Sequence, residues 1–111
     1  IPLQVKAGSR IVRLNQLRIL YFSRNREYLT AHTLDGEWSW RESFESLSER
    51  LEPSLFLRVH NGYVVNLDQV TEADSARDLL VMTDKSEVPY SRRNEKAVLA
   101  AMKLHRKEAG V

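Results

Sequence analysis

The sequence predicts a mainly β domain of about nine or ten short strands, with one short central helix and one C-terminal helix. Three observations carry this expectation. Short runs that alternate apolar and polar residues, such as 3–7 and 10–14, recur along the chain. Turn chemistry separates them, at Gly8-Ser9, Asp35-Gly36, Asn61-Gly62 and Asp84-Lys85-Ser86. Only residues 43–51 and 94–107 space their apolar side chains as a helix does.

Taken in order, 3–7 and 10–14 read as a hairpin across Gly8-Ser9. Asn15 and Gln16 then give a brief polar break before a third strand over 17–23. Arg24-Asn25-Arg26 reads as a loop leading to a strand over 28–33, which Asp35-Gly36 joins to one over 37–40. Ser43 is a plausible N-cap for a helix over 43–51, where Phe44, Leu47 and Leu51 share a face. Glu52-Pro53 ends that helix, because proline pushes its predecessor out of the helical region. Strands follow over 56–59 and 64–70, then an acidic loop over 72–78 and a last hairpin pairing 79–83 with 87–90. In the terminal helix, Val98, Ala101, Met102 and His105 fall on one face. Neither helix has a partner of the length and spacing of a helix-turn-helix, and the chain shows no internal repeat.

Composition narrows the function classes. The 111 residues make one domain, with 42% hydrophobic and 29% charged residues, as in an ordinary globular protein. The absence of cysteine excludes disulfides, thiolate metal sites and cysteine catalysis. No window approaches the roughly 18 apolar residues of a membrane helix, and no signal-peptide pattern opens the chain, which fits a cytoplasmic protein without membrane contact. The first residue is Ile1, so the chain is expected to be the C-terminal part of a longer protein.

The formal charge is only +2, but it is unevenly spread. Residues 1–34 carry +5, 35–54 carry −4, 71–90 carry −3 and 91–111 carry +4. Basic ends around an acidic middle suit a face that meets phosphate, although chance clustering on a zwitterionic surface gives the same numbers.

Three polar segments could carry recognition. In Arg58-Val-His60-Asn61-Gly62-Tyr63, strand alternation sends Phe56, Arg58 and His60 to one face and Leu57 and Val59 to the other. Asn61 is then released at a tip, with Gly62 free to take a positive φ. An Asn there can bind the major-groove edge of adenine, while a plain Asn-Gly turn with a backbone-satisfied His explains the same residues. In Ser91-Arg92-Arg93, Pro89 turns the chain outward, an Arg can fork onto guanine, and Ser91 can bind phosphate or simply cap the helix. Arg24 and Arg26 are phosphate candidates in a loop that is otherwise an ordinary solvated connection.

Other constellations are weak. His32, His60 and His105 have no metal spacing, and no nucleophile motif frames the Ser, His and Asp residues. No cofactor is implied and an enzyme is not expected. Glu42, Glu45 and Glu49 read as a solvated helix face, and Trp38 and Trp40 as core or domain-contact residues. Two competing functions stay open. One is a protein-interaction β module docking through strand edges or Trp38 and Trp40. The other is single-strand binding by Tyr21, Phe22 and Tyr28 beside Arg24 and Arg26.

The block Phe56-x-Arg58-x-His60-x-x-Tyr63-x-Val65-Asn66, followed by Val88-Pro-Tyr-Ser91-Arg92-Arg93, resembles the LytTR family of bacterial DNA-binding domains. The resemblance covers nearly the whole chain and implies an elongated stack of small antiparallel β-sheets that reads duplex DNA from loops, not from a recognition helix. It implies base contacts by Asn61, Arg93 and a member of the loop Asn25, Arg26, Glu27. It implies backbone contacts drawn from Arg10, Arg24, Arg58, His60, Ser91, Arg92 and Lys96, with His60 also buttressing its loop. Gly62 departs from the usual Ser. Further implications are paired direct repeats on DNA, a monomer off DNA, and an upstream receiver domain of a two-component response regulator, or else a sensor region. The role is that of a transcription-regulating effector domain.

Overall fold

A computed structural model describes the backbone of residues 2–108 and the side chains of residues 2–103. Ten strands form three antiparallel sheets: β1 (Pro2–Ala7) with β2 (Arg10–Asn15); a five-stranded sheet; and a three-stranded sheet. The central sheet has the order β5-β4-β3-β7-β6, from β3 (Ile19–Asn25), β4 (Tyr28–Thr33), β5 (Gly36–Arg41), β6 (Phe56–His60) and β7 (Tyr63–Asn66). The last sheet pairs β8 (Val70–Asp74) and β10 (Glu87–Pro89) on either side of β9 (Leu79–Met82). Helix α1 is Phe44–Ser48 and α2 is Glu95–Glu108.

Alternation within the central strands builds two cores. Phe22, Leu29, Ala31, Trp40, Phe56 and Val64 face Leu3, Val5 and Leu14 of the first hairpin, and α1 closes this core with Phe44 and Leu47. On the other face, Val59 and Val65 meet Leu80, Met82 and Val88 of the third sheet, with Val98 of α2. The result is three β layers in a body of 41 × 30 × 25 Å. Phe22 is fully buried, edge-on to Trp40 and tilted against Phe56. Trp40 is therefore core and Trp38 packs beside it, as expected.

The first hairpin turns at Gly8, φ +66°, with Ala7 paired to Arg10. At the Asp-Gly turn the loop residues are Leu34 and Asp35, because Gly36 already pairs with Thr33. The helix expected over 43–51 stops at Ser48: Ser43 caps it by accepting from the Ser46 N–H, but Leu51 reaches the core from a bend. Val98 and Met102 of α2 face the second core as their spacing predicts, whereas the His105 side chain lies outside the described residues.

Two corners replace ends of expected strands, the first of them at the polar break after Asn15. At Gln16–Arg18 and Leu67–Gln69 the chain makes a 3-10 turn, in place of the strands expected from residue 17 and through residue 70. Each corner opens with an Asn whose side chain accepts the N–H two residues on, from Leu17 and from Asp68. Asn15 and Asn66 also share backbone angles, φ −81°, ψ 116° and φ −83°, ψ 113°, so one local device serves both. Each corner delivers the chain to a new sheet. The second corner clamps the first, since Asn66 donates to the carbonyls of Ile19 (2.8 Å) and Gln16 (3.3 Å) while fully buried. The Gln16 side chain is buried as well, accepting from the Glu52 N–H at 2.9 Å. The acidic stretch 72–78 is likewise partly strand, with Glu72 and Asp74 inside β8.

Candidate nucleic-acid interface

Strand order brings the three polar segments together. β3 ends, and β4 and β7 begin, at the same end of the central sheet, because Asn25 pairs with Tyr28 and Ser23 with Tyr63. Two hydrogen bonds then tie the segments: the Arg24 N–H donates to the Gly62 carbonyl (2.9 Å), and the Ser91 N–H to the Val59 carbonyl (2.9 Å). Asn94 adds a side-chain bond to Val59 at 3.3 Å.

The segment 24–28 is tighter than the expected loop. Arg24 and Asn25 belong to β3, and only Arg26 and Glu27 form the turn, with Arg26 at φ +59°. All four side chains are exposed, as is Tyr28. Glu27 forms an ion pair with Arg41, which lies across from Tyr28 on β5. The sequence did not single out Arg41: counting outward from Asp35-Gly36 as the loop sets Ser43 opposite Tyr28, whereas the observed loop Leu34-Asp35 sets Arg41 there.

In the second segment His60 does not follow Arg58. A β-bulge between Arg58 and His60 leaves Arg58 opposite Val64 and His60 opposite Tyr63, so His60 turns to the face of the second core. The His60 Nδ1 accepts the Gly62 N–H at 3.0 Å, which places the imidazole proton on Nε2. This brace replaces the expected role of Gly62, whose φ is not positive; the positive-φ glycines among the described residues are Gly8 and Gly36. A Cβ at residue 62 would meet only ordinary contacts, at 3.7 Å or more.

Arg58 is engaged on three sides. It lies 4.9 Å over the Phe44 ring, pairs with Glu45 (3.2 Å) and donates to the Asn61 carbonyl (3.0 Å). Arg24 also lies over Phe44, at 5.6 Å. Phe44, the first residue of α1, thus seats two cations beside the turn that presents Asn61. The Glu45 carboxyl sits below its ordinary range because of its own backbone N–H first and Arg58 second.

Ser91 begins a 3-10 turn, Arg92–Asn94, that runs into α2. Its carbonyl accepts the Asn94 N–H at 2.8 Å, and its hydroxyl makes no capping bond. Arg92 is exposed and faces Asp78 at 3.5 Å. Arg93 and Lys96 are exposed, and with Arg24 and Arg26 they make no ion pair among the described residues. Behind them the buried Tyr90 hydroxyl donates to Glu95 at 2.9 Å, and burial together with that carboxylate pushes its pKa up to about 12.

Arg10 stands apart at the tip of the first hairpin, and none of the described hydrogen bonds or ion pairs joins it to the three segments. The single-strand platform does not assemble: Phe22 is core, Tyr21 stacks on His32 at 4.2 Å, and of the three aromatics Tyr28 alone is exposed. Ser23, His32 and Glu37 form a hydrogen-bonded row at 2.7 Å steps that cross-links β3, β4 and β5. Glu42 does not sit on a solvated face. It accepts from Arg50, Trp40 and Ser46, and although burial pushes its pKa up, these bonds outweigh it and hold the carboxyl low.

Residues 9–103 match the family described as the LytTr DNA-binding domain. The chain is 27% identical over 93 residues to the sensory transduction protein LytT of Bacillus subtilis (strain 168), covering 81% of this chain and 39% of that protein. It is 27% identical over 70 residues to the transcriptional regulatory protein LytR of Staphylococcus aureus (strain N315), covering 63% of this chain and 28% of that protein. The chain therefore spans well under half the length of these relatives. A solved LytTr DNA-binding domain from Bacillus cereus superposes with a TM-score of 0.79 at 15% identity, over 91% of this chain and 95% of that one.

Proposed function

This chain belongs to the LytTr DNA-binding domain family, and from that premise we propose that it binds duplex DNA sequence-specifically through the turns at one end of its central sheet. The observation that carries the proposal is the convergence of three polar segments, tied by Arg24 to Gly62 and by Ser91 to Val59. Asn61 and Arg93 read base edges, and Asn25, Arg26 and Glu27 supply a further base contact from the β3–β4 turn. Arg24, Ser91, Arg92 and Lys96 meet phosphates, with Arg10 contributing from the neighbouring hairpin. Arg58 and His60 act chiefly by holding the Asn61–Gly62 turn, since both are committed to internal bonds.

We propose the chain as the effector domain, within residues 1–111, of a longer cytoplasmic regulator of transcription. Its upstream partner would be a receiver or sensor region. The domain would be a monomer off DNA and paired on direct repeats. Selection of sites from a random duplex library tests the reading. A short motif recurring as a direct repeat at about one helical turn supports it. A folded domain that enriches no motif, or that binds all duplexes alike, overturns it.

A further inference from the structure

The β3–β4 turn offers several side chains to a base, and its surroundings single out one of them. We propose that Glu27 reads a cytosine by accepting from its exocyclic amine, and that Arg41 is the residue that positions Glu27 to do so. This role rests on the DNA-binding reading above and adds to it a base and a positioning residue.

The turn is held from both neighbouring strands. Arg26 occupies φ +59°, a region that favours glycine, so the bonds around the turn impose its shape and the residue does not. On one side the Arg24 N–H donates to the Gly62 carbonyl. On the other the Glu42 N–H donates to the Glu27 carbonyl at 3.2 Å, just past the last β4–β5 pair, Tyr28 with Arg41. Arg24, Arg26, Glu27, Arg41, Glu42 and Ser43 line one recess at this end of the sheet. Of the turn residues, Glu27 is fixed twice: its main chain by Glu42, and its carboxylate oxygen Oε2 by Arg41. The other oxygen, Oε1, has no partner among the described residues, and the Asn25 and Arg26 side chains are exposed and unbonded there.

Charge decides what such a group can read. A carboxylate brought to a duplex is repelled by phosphate unless cations stand beside it. Glu42 is committed to Arg50, so Glu27 shares the recess with three arginines, Arg24, Arg26 and Arg41. An ionised carboxylate can only accept, so it favours a base edge that donates and is repelled by guanine O6 and N7 and by thymine O4. Two bases donate in the major groove. The adenine amine lies between two acceptors, its own N7 and the O4 of the paired thymine, whereas the cytosine amine has one, the O6 of guanine. Cytosine is therefore the better partner. Arg41 and Glu27 are 70% and 57% exposed, so their pair adds little to stability. What it does is fix which carboxylate oxygen is left for the base.

Sites selected from a random duplex library by wild type, Glu27→Gln and Arg41→Met should share a motif that differs at one position. Wild type should prefer cytosine there by roughly 5- to 150-fold, the worth of one good base contact. Glu27→Gln should turn that preference to adenine, whose N6 and N7 an amide engages together. Arg41→Met should relax the same position and no other, while Arg41→Lys, which can still pair with Glu27, should keep most of the preference. Joining Glu27→Gln to Arg41→Met should change cytosine preference no more than Glu27→Gln alone, and additive changes would separate the two residues and overturn the positioning role. Melting temperatures should stay at the wild-type value, and a fall for Arg41→Met would make the pair a stability element and count against that role. An Arg41→Met protein that binds specific and random duplex equally less well, with a salt slope lower by about one, would make Arg41 a phosphate contact and likewise overturn it. A wild-type motif that Glu27→Gln leaves unchanged overturns the role of Glu27 alone. A wild type that enriches no motif overturns the DNA-binding reading and this role with it.

Discussion

The Arg58 guanidinium donates to the main-chain carbonyl of Asn61 at 3.0 Å while lying 4.9 Å over the Phe44 ring. A planar, forked cation can do both at once, and a lysine ammonium cannot. Arg58→Lys should therefore loosen the Asn61 turn although the charge is kept. The expected loss in affinity for a one-site duplex is roughly 0.5–1.5 kcal/mol, the worth of one such bond. Phe44→Leu, which removes the ring under both Arg24 and Arg58, should weaken binding in the same direction. Titration of the two variants checks this, and an unchanged affinity for Arg58→Lys would detach Arg58 from the turn.

Base reading separates from phosphate contact by comparing duplexes. Arg93→Ala should cost roughly 1–3 kcal/mol on the selected site and relax preference at one position. Lys96→Ala should weaken specific and random duplex alike and lower the salt slope by about one. Equal losses on both duplexes for Arg93→Ala would reassign Arg93 to the backbone. Asn61→Ala should weaken binding without moving the melting temperature, because the described bonds of Asn61 are made by its main chain.

Asn66 is a stability residue. Its amide donates to Ile19 and Gln16, and its carbonyl oxygen caps the corner at Asp68. Asn66→Ala strands buried carbonyls and removes a cap, so unfolding free energy should drop by roughly 2–4 kcal/mol in a urea titration. Asn15→Ala, at the exposed twin corner, should cost about 1 kcal/mol or less. Similar losses at both sites would contradict the clamp.

Two groups set opposite limits on pH stability. The Glu42 carboxyl is held below the ordinary 4.5 in the folded chain, so its contribution is complete above that value and is lost as pH falls through the depressed one. Tyr90 is raised from 10.0 to about 12, so its contribution is complete below 10.0 and is lost as pH rises toward 12. Urea midpoints measured across pH should fall less steeply in acid for Glu42→Gln and less steeply in alkali for Tyr90→Phe. A Tyr90→Phe profile that parallels wild type above pH 10.0 would remove Tyr90 from the alkaline limit.

The sequence by itself determined most of the strands, the hairpins and the polar segments proposed for recognition. Alternation and turn chemistry act within a few residues, so the turn at Gly8-Ser9, and to within one residue the turn at Asp35-Gly36, were legible without knowing what they pack against. Ser43 was legible as a cap for the same reason. Tertiary structure alone decided which distant groups complete each local choice. Gln16 looked like a solvent break and is buried because Glu52, 36 residues away, donates to it. Glu42 looked exposed and is enclosed because Arg50, Trp40 and Ser46 converge on it. The bulge that turns His60 from the face of Arg58, and the order β3-β7-β6 that brings residues 24, 62 and 91 to one end, arise from strand pairing across the chain. Local chemistry has a short range and writes itself into neighbouring residues. The free energy of enclosing a polar group depends on partners that meet only after the sheets have stacked.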